Sequence, residues 1–113
     1  MDFKQYQEKA ITTKIYNQSV AIPYCVLGIA GEAGEIAEKI KKYLRDEFDN
    51  YSKGFMREEM KVEISKEVGD VLWYLAAICD ELGLDFNEVA EQNIAKLQSR
   101  KDRGQLVGSG DNR

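Results

Sequence analysis

Two carboxylate pairs at helical i, i+3 spacing interrupt otherwise apolar runs: Glu32 and Glu35 within Gly31-Glu-Ala-Gly-Glu35, and Glu67 and Asp70 within Glu67-Val-Gly-Asp70. Residues three apart share a helical face, so each pair projects two acids in one direction along the border of an apolar stripe. A carboxylate there loses hydration, a loss that an opposing cation must offset. The pattern therefore asks for two long helices with positive charge facing their acids.

The remaining periodicity is that of an all-α chain. Ile29, Ala33, Ile36, Ile40 and Leu44 recur at 3.6-residue spacing over a helix of about Ile22 to Arg45. Pro23 falls in its first turn, where a missing N–H costs nothing. Val68, Val71, Leu72, Leu75, Ile78, Cys79 and Leu82 mark a second long helix from about Glu58 to Gly83, with Glu63, Glu67, Asp70 and Tyr74 on the neighbouring stripe. A first amphipathic helix is expected from Asp2 to Tyr16. A last one is expected from Phe86 to Lys101, behind the capping pattern Asp85-x-x-Glu88 and with Phe86, Ala90, Ile94 and Leu97 as its core stripe. Asp46 to Gly54 reads as a polar loop. These elements predict a four-helix bundle-like domain over residues 1–103 and a flexible, glycine-bearing tail over 104–113.

With 113 residues, 43% hydrophobic and 32% charged, the chain has the composition of one soluble domain, small enough for oligomerisation to supply missing burial. A net charge of -4 argues against a basic nucleic-acid grip. The uncharged stretch Asn17 to Ala30 is too short to span a bilayer, and Met-Asp-Phe-Lys-Gln is not a signal sequence, so the expected location is the cytoplasm, with no membrane partner. Cys25 and Cys79 lie among apolar neighbours outside any ligand-spaced motif and read as buried thiols. The chain has no histidine, which removes Ser-His and Cys-His nucleophile systems and most zinc sites. Proton transfer falls to the carboxylates.

Four acids converging from two helices repel one another, and a hard, oxygen-preferring divalent cation such as Mg²⁺ or Mn²⁺ relieves that repulsion. A single Glu-x-x-Glu is common on solvated faces; two such pairs beside apolar stripes on successive helices are a stronger signal. Gly28, Gly31, Gly34 and Gly69 lie in helical pattern at ~1 kcal/mol each relative to alanine, which either close helix packing or a ligand beside the acids explains. On the last helix Asn93 falls inside the apolar stripe, with Lys96 and Arg100 along its edge, where the helix dipole also favours cations. Tyr74, one turn beyond Asp70, stands where it can stack on a base or hydrogen-bond a phosphate. Trp73 and Tyr43 suggest apolar edges suited to a second subunit, and Lys39, Lys41 and Lys42 read as a solvated face.

Glu32-x-x-Glu35, Glu67-x-x-Asp70 and Asn93-x-x-Lys96-x-x-x-Arg100 together resemble the MazG-like family of all-α nucleoside triphosphate pyrophosphohydrolases, and the segments Leu27 to Glu38 and Glu67 to Tyr74 look like that family's two signature helices. The similarity spans about residues 20 to 103. The resemblance implies that Glu32, Glu35, Glu67 and Asp70 bind Mg²⁺, that Lys96 and Arg100 contact phosphates, and that Asn93 and Tyr74 lie near the nucleotide. It also implies cleavage of a nucleoside triphosphate between the α- and β-phosphates to monophosphate and pyrophosphate, in a homodimer or homotetramer. With no histidine in the chain, Glu32 or Glu35 is the expected base for a water that attacks the α-phosphorus. Phe3, Tyr6 and Tyr16 are candidates for the base pocket. The Asp46 to Met56 segment is longer than in the shorter family forms. Two other readings stay open: hydrolysis of another pyrophosphate-containing nucleotide (an alarmone or dUTP), and a non-catalytic helical association module.

Overall fold

The computed structural model describes all of residues 1–113. Its elements are α1 (Phe3–Ala10), two short 3₁₀ turns (Ile11–Thr13 and Gln18–Val20), α2 (Ala21–Asp46), α3 (Phe48–Ser52), α4 (Glu58–Glu81) and α5 (Phe86–Asp102), with no strand. The two long helices start and stop within a residue or two of their expected positions. The first is shorter than expected, because the Thr12 and Thr13 hydroxyls donate to the Lys9 and Ala10 carbonyls and the chain tightens into a 3₁₀ turn before Lys14 becomes extended.

Local capping follows the sequence closely. Asp2 and Gln5 exchange side-chain and backbone hydrogen bonds of 2.8 Å at the start of α1. Gly83, at φ +69°, turns the chain between α4 and α5, and Asp85 then accepts from the backbone N–H groups of Asn87 and Glu88. The expected polar loop contains α3. Arg57 clamps Glu47 through two 2.9 Å hydrogen bonds, and Tyr43 donates its hydroxyl to the Phe55 carbonyl, which folds this segment back on α2.

Helices α2 and α4 form the main layer and run antiparallel, with Gly28 opposite Tyr74, Glu32 opposite Asp70 and Lys39 opposite Glu63. The core proper is small: Ala10, Ala76, Cys79 and Phe86, packed by Tyr6, Leu72, Trp73 and Leu75. Gln7 stitches α1 to the α4–α5 turn, donating to the Leu84 carbonyl at 2.9 Å and accepting from the Phe86 N–H at 3.0 Å. Trp73 is half-buried, donating its indole N–H to the Ala10 carbonyl and the Thr13 hydroxyl, and Tyr43 is buried, so Tyr43 is not the free subunit edge that the sequence suggested.

Helix α5 departs most from expectation. Of its core stripe Phe86 is buried and Ala90 half-buried, while Ile94 is 66% and Leu97 40% exposed. The helix touches α1 and α4 and makes no approach to α2, so the bundle is open. The radius of gyration is 17.3 Å, against about 13 Å for a compact domain of this length. Ile22, Tyr24, Val26 and Leu27 are exposed on the N-terminal half of α2 as well. By length and composition α2 is apolar enough to cross a membrane, with a mean hydropathy of 1.4 over an 18-residue window. It outruns the uncharged stretch considered above, and Glu32 and Glu35 fall inside it.

Candidate metal and nucleotide site

Antiparallel pairing of α2 and α4 converts two local acid spacings into one cluster. Glu32 from α2 and Glu67 and Asp70 from α4 bring carboxylate oxygens within 4.8 Å of one another. Burial raises the Glu32 pKa above the usual carboxylate range, reinforced by a hydrogen bond with Glu67 and by the charges of Asp70, Glu67 and Glu35. The donor set fits a hard divalent cation, since three carboxylate oxygens converge from two helices. Glu35 sits one turn along α2, exposed and outside the three-oxygen cluster.

Lys39 is the cation that enters this seam. Its Nζ lies 3.8 Å from Glu67 Oε1 and 3.9 Å from Glu63 Oε2, so it is not part of the solvated face it was grouped with, whereas Lys41 and Lys42 pair with Glu38 there. Periodicity places Lys39 seven residues from Glu32, and that spacing was the available signal.

Tyr74 lies flat over Gly28, where a Cβ would stand 2.3 Å from the ring, so the packing account of glycine holds at that position. Gly31, Gly34 and Gly69 face open space in the chain. Around Tyr74 the aromatic rings form a connected group: Tyr24 at 6.2 Å, Trp73 at 5.0 Å, and Tyr16 stacked on Tyr24 at 5.1 Å. Burial, and then hydrogen bonding to Tyr24, pushes the Tyr74 phenol pKa up. Tyr6 is near the acids, its phenol pKa raised by burial and then by the charge of Asp70. Phe3 instead packs on Phe86 at 4.8 Å. Tyr16 is fixed by Glu81, which accepts from Tyr16 at 2.5 Å, Gln18 at 2.6 Å and Lys14 at 3.1 Å; these bonds hold the Glu81 carboxyl below its usual range. Nothing in local spacing signals this knot, because Tyr16 and Glu81 lie 65 residues apart.

The α5 residues are not gathered into the seam. Asn93 is exposed, a correction to its place in a buried stripe, because no helix faces that side of α5. Lys96 is exposed and forms no ion pair, and it shares a shallow groove with Val89, Gln92 and Asn93. Arg100 is 6% exposed, donating to the Gly110 and Asp111 carbonyls at 3.4 and 2.8 Å, with Nε unpartnered. Its guanidinium therefore holds the tail. Arg113 likewise donates to the Gln105, Leu106 and Gly110 carbonyls and Arg103 to the Arg113 carbonyl, so residues 104–113 fold back on Arg100, Arg103 and Arg113.

An open all-α chain whose two long antiparallel helices pool three carboxylates beside an aromatic group belongs to the class of helical proteins with an acidic cluster that could hold a metal ion. Comparison with known proteins gives that class a family. The chain belongs to the MazG nucleotide pyrophosphohydrolase family, whose domain model matches residues 24–104. It is also similar to the gene 37 protein of Mycobacterium phage L5, 42% identical over 114 aligned residues that cover 96% of each chain. No solved structure matches it.

Proposed function

We propose that this protein is a Mg²⁺-dependent nucleoside triphosphate pyrophosphohydrolase that releases monophosphate and pyrophosphate. The observation that carries the reading is the convergence of Glu32, Glu67 and Asp70 from two helices, in a chain whose family acts on nucleotide pyrophosphate bonds. A bound divalent cation supplies charge neutralisation of the phosphates and lowers the pKa of water. Glu32, Glu67 and Asp70 hold that cation. Glu35, exposed and one turn away, is the carboxylate left to accept the proton of the attacking water, since the chain has no histidine. Tyr74, with Tyr24 and Tyr6 nearby, offers the ring surface for a nucleoside.

The acting species in this reading is a homodimer or homotetramer. The small core, the splayed α5 and the exposed apolar half of α2 leave surface that a second copy of the chain covers. Lys96, far out on α5, serves phosphate binding only from such an assembly.

A panel of canonical and modified nucleoside triphosphates, incubated with Mg²⁺ and resolved by phosphorus NMR, tests the reaction; monophosphate and pyrophosphate are the expected products. Absence of turnover across the panel, or full turnover by Asp70→Asn, defeats it. Light scattering on the purified chain reads the assembly, with a mass of at least twice 12.9 kDa expected.

A further inference from the structure

Resting on the nucleotide reading above, we infer that Lys39 is a phosphate-contacting residue and that it fixes the direction of a bound nucleoside triphosphate, with the base toward Tyr74 and Tyr24 and the terminal phosphates toward Lys39.

The seam between α2 and α4 is ordered. Tyr74 over Gly28 marks one end, the three acids come next, and Lys39 follows seven residues after Glu32, about 10 Å further along the α2 axis. Aromatic surface, carboxylates and cation thus occur in the sequence in which a nucleotide presents its base, its metal-chelating phosphates and its outermost charge. The cations that resemblance assigned to phosphate do not fill this place within the chain, since α5 makes no approach to α2 and Arg100 is occupied by the tail.

The pairing of Lys39 is of a kind that can be exchanged. Its contacts to Glu67 and Glu63, 3.8 and 3.9 Å, are long, and the side chain is 28% exposed. At those lengths the pairs lie at the outer limit of ion-pair contact, whereas an ammonium against phosphate forms short charge-assisted hydrogen bonds. With a divalent cation held by Glu67, Lys39 would no longer balance that carboxylate, and its Nζ would be free to meet phosphates lying over the same acids. In this direction the α–β linkage rests by Glu32, Glu67 and Asp70, and Lys39 neutralises the departing pyrophosphate.

Titration calorimetry on the full chain with Mg²⁺, the four α,β-methylene deoxynucleoside triphosphates and the corresponding monophosphates tests the assignment. Lys39→Gln is expected to weaken triphosphate binding about tenfold while leaving monophosphate binding within about twofold, and Lys39→Arg is expected to restore most of the loss. Unchanged triphosphate affinity, or equal losses for both ligand classes, overturns it. Should Lys39→Gln fail to melt cooperatively, acetylation of Lys39 in the unaltered protein gives the same reading by mass spectrometry. Protection by triphosphate and not by monophosphate supports the contact, and equal labelling in both overturns it. An unaltered protein that binds no triphosphate overturns the nucleotide reading as well, whereas triphosphate binding indifferent to Lys39 overturns this assignment alone.

Discussion

Replacing Asp70 with asparagine should stabilise the protein without metal and destabilise it, relative to the unaltered chain, with metal. The oxygens of Glu32, Glu67 and Asp70 lie within 4.8 Å of one another. At that separation each pair of charges repels by about 1 kcal/mol in a water-like dielectric, the appropriate limit because Asp70 is exposed. Removing the Asp70 charge relieves two such pairs, so the metal-free melting temperature should rise by roughly 4 °C or more. A cation at a hundred times its dissociation constant adds about 2.7 kcal/mol to a chain that binds it, and Asp70→Asn loses much of that gain. Melts followed by circular dichroism at pH 8 and low salt, in chelator and then in excess Mg²⁺, should show the order of the two proteins reverse. A variant that melts lower in chelator, or an equal Mg²⁺ gain in both proteins, refutes a shared site at these three carboxylates.

Gly28→Ala places a methyl group 2.3 Å from the Tyr74 ring, and the repacking should cost about 1–3 kcal/mol in a denaturant titration. Glu81, whose carboxyl pKa is lowered by Tyr16, Gln18 and Lys14, contributes stability that is present above the unfolded carboxylate value near pH 4.3 and lost as pH falls through its lower folded value. Glu81→Gln should therefore flatten the acid limb of the stability curve in that window, and an unchanged limb counts against the knot. Arg100→Ala removes the donors that hold the Gly110 and Asp111 carbonyls, so cleavage after Leu106 by chymotrypsin should accelerate several-fold as the tail opens; an unchanged cleavage rate refutes the clasp.

The two long helices were readable because apolar periodicity and terminal signals are local properties. Pro23 in the first turn of α2, Gly83 in a left-handed turn and Asp85 at a helix start each do in the structure what their chemistry dictates in isolation. The acid pairs were readable for the same reason, since i, i+3 spacing fixes a shared face before any packing occurs. The exposure of Asn93 and the burial of Arg100 were not readable, because a stripe on a helix says which side is apolar and not whether another segment covers it.

From the order of its residues alone, then, the chain specifies its helices and the faces on which Glu32, Glu35, Glu67 and Asp70 sit. Tertiary structure decided which of those acids meet, that Lys39 joins them, that Tyr74 settles over Gly28, and that Arg100 turns to the tail. Each of these depends on the antiparallel register of α2 against α4, or on the outward splay of α5. Such long-range pairings are set by which surfaces bury together, and no local spacing encodes them.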